Sequence, residues 1–407
     1  MFSEKLLDLS KKAEQLIAPQ FEKIEQTEFE NQQKIQAAFE ECRISASHFI
    51  ATDGYGYDDE GRDALNKVFA HAFGAESALV RPNFISGTHT LSTMLFGVLR
   101  PGDTLLSAAG APYDTLQGVI RGNKSSLDTF NINYKEVALK DGAPDYDGIA
   151  NALTPDVKAV LIQRSRGYAL RPSLTIEKIE DLCRHIRSVK SDVIILVDNC
   201  YGEFVDTREP VSAGADLMAG SLIKNPGGGL APTGGYIAGC ADLVELCADA
   251  LLAPGIGLEC GSNYGMLKQI FQGFYLSPHT VAQAIKASLF AGAIFSLSGF
   301  DIYPSLTDKR SDIIQAIKLQ NAENVKKFCR GIQSGSPVDS FVSPVPWPMP
   351  GYDCDIIMAA GTFTQGASIE ISADAPMREP FAVYMQGGLT YSSAKIAILK
   401  AAEAVLE

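Results

Sequence analysis

The chain lacks the marks of several protein classes. Its eight cysteines, at positions 42, 183, 200, 240, 247, 260, 329 and 354, include no CxxC pair. Neither a zinc site nor a disulfide framework is therefore expected, and the thiols read as reduced, mostly core filler. No run of 18 uncharged apolar residues occurs, which argues against a membrane span. Lys and Arg total 35 against 48 Asp and Glu, a net charge of −13 with no basic patch, so nucleic acid is an unsuitable partner. Neither a GxGxxG following a strand nor a GxxxxGKS or GxxxxGKT loop is present, which removes the common nucleotide-binding signatures. Internal repeats and low-complexity tracts are missing too. The opening stretch MFSEKLLDLSKKAEQLIAPQ interleaves charge with Leu and Ile and builds no apolar signal core. The expectation is a cytosolic protein, free of metal, that acts on a small metabolite.

What is present is a globular composition: 407 residues, 46% hydrophobic and 20% charged, enough for a large domain and a smaller one. Residues 1–50 carry apolar positions such as Ile35, Ala38 and Phe39 at helical spacing, and read as two amphipathic helices separated near Pro19 that pack on a partner subunit. From 51 to 285 short apolar strands alternate with amphipathic helices, the signature of an α/β domain with a largely parallel sheet. Strands are expected at 77–80, 104–108, 159–163 and 193–197. A helix over 87–99 should stop at Pro101 and Gly102, and another should start at a Thr175 cap, with Ile176, Ile179, Leu182, Cys183 and Ile186 on one face. The run 193–197 has no polar residue, as a central strand covered on both faces requires. Residues 286–407 hold a long helical stretch, the Pro-rich connector SPVPWPMPG, short strands and a final helix over 392–406. They read as a smaller α+β domain.

The functional signal lies between Val193 and Gly235. Asp198 is the first residue after the apolar run, where ligands gather at the carboxyl ends of strands in open α/β sheets. Lys224 ends the next apolar stretch and is followed by Asn225, Pro226 and three glycines, so it stands on a turn, with a helix-length segment expected between the two. A strand-terminating aspartate and a surface lysine are the plain alternative. Together they suit pyridoxal phosphate, which needs a lysine amine for its Schiff base and an acid to keep its ring nitrogen protonated. Ser86, Gly87 and Thr88 open a helix whose free amides and dipole favour a phosphate, or merely cap it. Ser221 either adds a hydroxyl to that phosphate or is a buried strand serine. Tyr113 either stacks on the pyridine face or sits in the core. Tyr55 and Tyr57 lie in a glycine-punctuated loop, where they project into a site or simply shape a turn.

Five motifs in order, GYGYDDEGR, RPNFISGTHTL, QRSRGY, LVDNCYGEF and AGSLIKNPGGGLAPTGGYIAG, resemble the bacterial methionine gamma-lyase family, also called aluminium resistance proteins, relatives of the cystathionine lyases. The resemblance spans about residues 50 to 395. It implies the aspartate aminotransferase type of fold and a homotetramer built from dimers, each pocket completed by a neighbouring chain. It also implies Lys224 as the Schiff base lysine, Asp198 as the pyridinium partner, and Tyr113 as the stacking ring. Ser86, Gly87, Thr88 and Ser221 become phosphate contacts, and Tyr55 the tyrosine reaching a neighbour's phosphate. The implied activity is loss of a thiolate from Cβ or Cγ of a sulfur amino acid, with Tyr113 protonating the sulfur or tuning the lysine. A transaminase, a cysteine desulfurase or a noncatalytic binding protein on this fold are the other readings. The chain departs from the better-known gamma-lyases at Ile223, where they carry a hydroxyl residue. Arg62 is the candidate for the lost phosphate contact. GASIEIS stands where a carboxylate-binding arginine is expected, which leaves Arg378, Arg164 and Arg166 as substitutes.

Overall fold

The computed structural model describes residues 2–50, 52–349 and 352–407. Two sheets organise them. The first holds β1 (Ser77–Arg81), β2 (Thr104–Ser107), β3 (Asn133–Glu136), β4 (Val157–Gln163), β5 (Ile194–Asp198), β6 (Leu217–Ser221) and β7 (Gly235–Gly239). Their spatial order is β1-β7-β6-β5-β4-β2-β3. Strands β3, β2, β4, β5 and β6 run parallel, while β7 is antiparallel to both neighbours. The largely parallel sheet expected from the alternating pattern is thus formed, and β5 occupies its middle. Ile195 and Val197 enter one apolar cluster, while Leu196 enters another on the opposite face. With a side-chain period of two, a strand buried on both faces has to read as an uninterrupted apolar run. Thr175 caps the helix Ile176–Val189 by accepting from the Lys178 amide at 3.3 Å.

The second sheet contains β8 (Ile302–Tyr303), β9 (Gln315–Lys318), β10 (Trp347–Pro348), β11 (Asp355–Ala359), β12 (Ser372–Pro376) and β13 (Ala382–Gln386). It is antiparallel throughout, in the order β10-β11-β12-β13-β9-β8. Ala373, Ala375, Val383 and Met385 pack in the core with Phe328 and Ile332 of the helix Ala322–Gly335. The alternate positions Ser372, Asp374, Tyr384 and Gln386 face the other way, and that face lines the site described below.

One expectation needs correction. The N-terminal segment is one helix, Glu4–Glu41, with Pro19 inside it, not two helices parted there. Pro19 and Gln15 are both exposed, so the Gln15 carbonyl that loses its helical donor can take water instead. The helix packs on its own chain: Asn31 Nδ2 donates to the Phe204 carbonyl at 3.0 Å, and Glu25 pairs with Lys286 at 2.7 Å. Between β5 and β6 no α-helix forms; a 3-10 turn over Pro210–Ala213 makes the crossing.

The 31-residue helix Leu267–Leu297 contains the position, 285, at which the second domain was expected to begin. By length and apolarity it could cross a bilayer, yet 83% of its most apolar window is buried inside the protein. It also locates the turn after β6. A Cβ on Gly273 would collide with the Gly227 carbonyl oxygen, and one on Gly228 with the Gly273 carbonyl, so helix and turn touch through bare backbone. Gly273→Ala is therefore expected to destabilise the fold by about 1–3 kcal/mol through overpacking, read as a lower urea midpoint.

Candidate active site

The residues that converge do so at the carboxyl ends of the parallel strands. A cavity of about 270 Å³ is lined by Gly87 and Thr88, Tyr113 after β2, Ser165 and Tyr168 after β4, Asp198, Cys200 and Tyr201 at β5, and Lys224 after β6. The second sheet closes it with Asp374, Tyr384 and Gln386. Among the described residues, Lys224 is the sole cationic side chain on its wall.

Lys224 is held by the sequence that follows it. The backbone turns at Asn225–Gly227, Gly228 takes φ 56°, and Asn225 Nδ2 donates to the Glu203 carbonyl at 3.0 Å. The Lys224 ammonium sits 4.1 Å from the centroid of the Tyr201 ring, and Tyr201 itself adopts φ 71°, a left-handed conformation. Asp198 accepts from the Cys200 amide at 3.1 Å. Burial pushes the Asp198 carboxyl up, against the pull of Lys224. Burial also works against the Lys224 ammonium, but Cys200, Tyr201 and Asp198 outweigh it and hold it above its ordinary value.

Of the residues expected to contact a phosphate, Gly87 and Thr88 line the cavity. Gly87 begins the helix Gly87–Val98, and a Cβ there would stand 3.4 Å from Ser221 Cβ and 3.9 Å from Lys224 Nζ. The Ser221 hydroxyl is fully buried and has no hydrogen-bond partner. An orphaned buried hydroxyl is uncommon, and this one beside the helix start at Gly87 fits an anionic group. Ser86 does not line the cavity; its hydroxyl caps the helix by accepting from the His89 amide at 3.0 Å. The Thr88 hydroxyl is shared with Thr115 at 2.8 Å.

Tyr113 is positioned through its backbone, whose amide donates to Gln163 Oε1 at 2.6 Å. Its hydroxyl is hydrogen-bonded to that of Tyr352, and burial pushes the phenol well above its usual value. Tyr55 is 71% exposed and stands outside this cavity, as does Arg62, whose guanidinium is tied to Asp63 and the Gly54 and Gly56 carbonyls. None of the three substitute arginines lines the cavity. Arg378 pairs with Asp353 at 2.6 Å on the surface, and Arg166 packs against Asp312. Arg164 lies buried beneath the site, bonded to Asn199 Oδ1 at 2.8 Å and paired with Glu209. Tyr201 and Tyr168 were within reach of sequence reasoning, since one lies inside LVDNCYGEF and the other ends QRSRGY. Tyr352, Asp374 and Gln386 carry no local signature; only the period-two face of β12 and β13 could have suggested the last two.

A mostly parallel sheet with a lysine and an aspartate at neighbouring strand ends, closed by a smaller antiparallel sheet, defines a pyridoxal phosphate-dependent enzyme fold of type I. The Escherichia coli pyridoxal-5'-phosphate dependent protein YhfS shares that fold at TM-score 0.63 and 19% identity, covering 93% of this chain and 97% of its own. The chain belongs to the methionine gamma-lyase family, whose model matches residues 6–406. It is 48% identical to the Bacillus subtilis (strain 168) protein YnbB over 396 residues, 96% of this chain and 94% of that protein. A Clostridium novyi carbon-sulfur lyase involved in aluminium resistance superposes at TM-score 0.95 with 49% identity, covering 98% of this chain and 96% of that one.

The buried network under the cavity generates its own prediction. Burial pushes Glu203 up to about 8, Tyr236 donates to it at 2.8 Å, and Arg164 is the guanidinium that balances nearby Glu209. Arg164→Ala should cost about 3–5 kcal/mol of unfolding free energy by denaturant titration, because it leaves a buried carboxylate unpaired.

Proposed function

We propose that this protein is a pyridoxal phosphate-dependent carbon-sulfur lyase, eliminating a thiol from Cβ or Cγ of a sulfur-containing amino acid and leaving a 2-oxo acid and ammonia. The observation that carries the reading is the meeting of Lys224 and Asp198 in one closed cavity beside the unpartnered Ser221 hydroxyl. The cofactor, when bound, supplies an electron sink for the pair left by the substrate's Cα–H bond. Lys224 would hold it as a Schiff base and, once released, take the Cα proton on Nζ. Asp198 would keep a positive charge on the ring nitrogen, a role its burial strengthens because a lone carboxylate there needs a cationic neighbour. The amides of Gly87 and Thr88 and the Ser221 hydroxyl would receive the phosphate, and Ser86 would act indirectly by fixing the helix start. Tyr113 would cover the ring, and Tyr201 would restrict the path of the lysine amine.

In the homotetramer that the family resemblance implies, Tyr55, exposed and outside the cavity described above, would be the tyrosine that reaches a neighbour's phosphate. Among the described residues no arginine lines the cavity, so the substrate carboxylate would be met by neutral donors or by that neighbour.

Lys224→Ala is expected to abolish both borohydride-fixed cofactor, read by mass spectrometry, and release of thiol and 2-oxo acid. Turnover unchanged in that variant would end the lyase reading, and amino transfer without thiol release would reassign it to a transaminase. Ser221→Ala should weaken cofactor binding by roughly tenfold, about 1.4 kcal/mol for a lost hydrogen bond to a charged group, by equilibrium titration of the apo-protein.

A further inference from the structure

A second cavity, of about 700 Å³, lies between the helix Glu4–Glu41, the long helix Leu267–Leu297, the turn after β5 and the loop between β8 and β9. It shares no lining residue with the active cavity. Ile24, Phe204, Ile285, Leu289 and Leu306 give it an apolar wall, a surface that suits the chain or ring of a small molecule.

The charges around that wall do not balance. Each carboxylate on it is already engaged: Glu177 and Asp206 hold Lys309 at 2.6 and 2.7 Å, Glu28 pairs with His279 at 2.7 Å, and Asp308 accepts from the Ser305 amide at 2.8 Å. Arg208 is taken by Glu180 at 2.9 Å. Two cations are left over, Lys23 and Arg310, and among the described residues neither forms an ion pair. Lys23 stands exposed at the rim, whereas the guanidinium of Arg310 is enclosed. Its Nη2 donates to Gln315 Oε1 at 2.8 Å, which anchors it, while Nε and Nη1 are buried with no acceptor. Burial pulls Arg310 down to about 9, helped by the like charge of Arg166. Buried donors are normally satisfied, and an enclosed cation without a partner carries a desolvation cost that a bound anion would remove.

We propose that this cavity is a second ligand site, which takes an organic acid with one carboxylate and an apolar chain. The carboxylate lies at Arg310, with Lys23 adding attraction at the rim, and the chain lies against the apolar wall. A neutral apolar molecule would leave Arg310 unsatisfied, and a bare anion would leave the wall wet.

No lyase activity is needed to test this site. Isothermal titration of the cofactor-loaded protein compares octanoate with octanamide, which keeps the chain and lacks the charge, and with acetate, which keeps the charge and lacks the chain. Octanoate should bind saturably, one molecule per chain, and the other two at least about tenfold more weakly, the worth of a hydrogen bond to a charged group or of several buried methylenes. Arg310→Gln should lower octanoate affinity about thirtyfold, as removal of one partner of a buried charge pair does. Lys23→Glu, at an exposed helical position that leaves folding intact, should lower it about threefold at low salt and less at high salt. The proposal is overturned by any of three results: no saturable octanoate binding, octanamide as tight as octanoate, or wild-type octanoate affinity in Lys23→Glu or in a folded Arg310→Gln.

Discussion

A charge buried in a low-dielectric cavity must be met by another, and the floor of this cavity is arranged around that demand. Lys224 brings an ammonium to the end of one strand, Asp198 brings a carboxylate to the end of the next, and the Tyr201 ring offers its face to the cation. Neither charge could occupy its position alone without a penalty of several kcal/mol. The rest of the first sheet follows from placing the two at neighbouring strand ends of one cavity. Strand β5 has to be central and apolar on both faces, β6 has to run parallel to it, and the turn after β6 has to be rigid. The glycines pressed against the long helix supply that rigidity, because backbone touching backbone leaves the lysine no slack.

The second sheet contributes differently. Its antiparallel strands are half apolar and half polar, with Ala373 and Met385 turned to helices and Asp374 and Gln386 turned to the cavity. One sheet thus supplies the two charged side chains and the unpartnered Ser221 hydroxyl, while the other supplies polar side chains that are uncharged or weakly acidic. Chemistry is confined between two layers that each need only their own ordinary hydrogen-bond ladders to form.

Local physics explains what was legible in the sequence. The strands at 77, 104, 159 and 193 and the Thr175 cap were read correctly, because apolar runs and capping hydroxyls act within a few residues. Asp198 and Lys224 could be singled out because their strand-end positions are written next to them in the chain, and both line one cavity. Pro19 misled: a proline inside a helix loses a hydrogen bond and crowds the carbonyl four residues back, but this one sits on an exposed face where water can meet that carbonyl. The helix-length segment between β5 and β6 makes its parallel crossover with a loop and a 3-10 turn. Arg164 and Arg166 drew attention as cations near a motif, but burial decides their part, and both are spent on carboxylates below and beside the cavity. Asp374 and Tyr352 were invisible because they join the site through pairings made across long stretches of chain.

The long apolar helix Leu267–Leu297 has a consequence for biosynthesis. It is translated after every strand of the first sheet, yet its side chains share a core with Val68 and Phe69 upstream and Ile317 and Ile398 downstream. A nascent chain that has completed the first sheet therefore still exposes the apolar surface this helix will cover. Domains released in that condition are aggregation-prone, and the ribosome-bound intermediate is the stage at which a chaperone has most to hold.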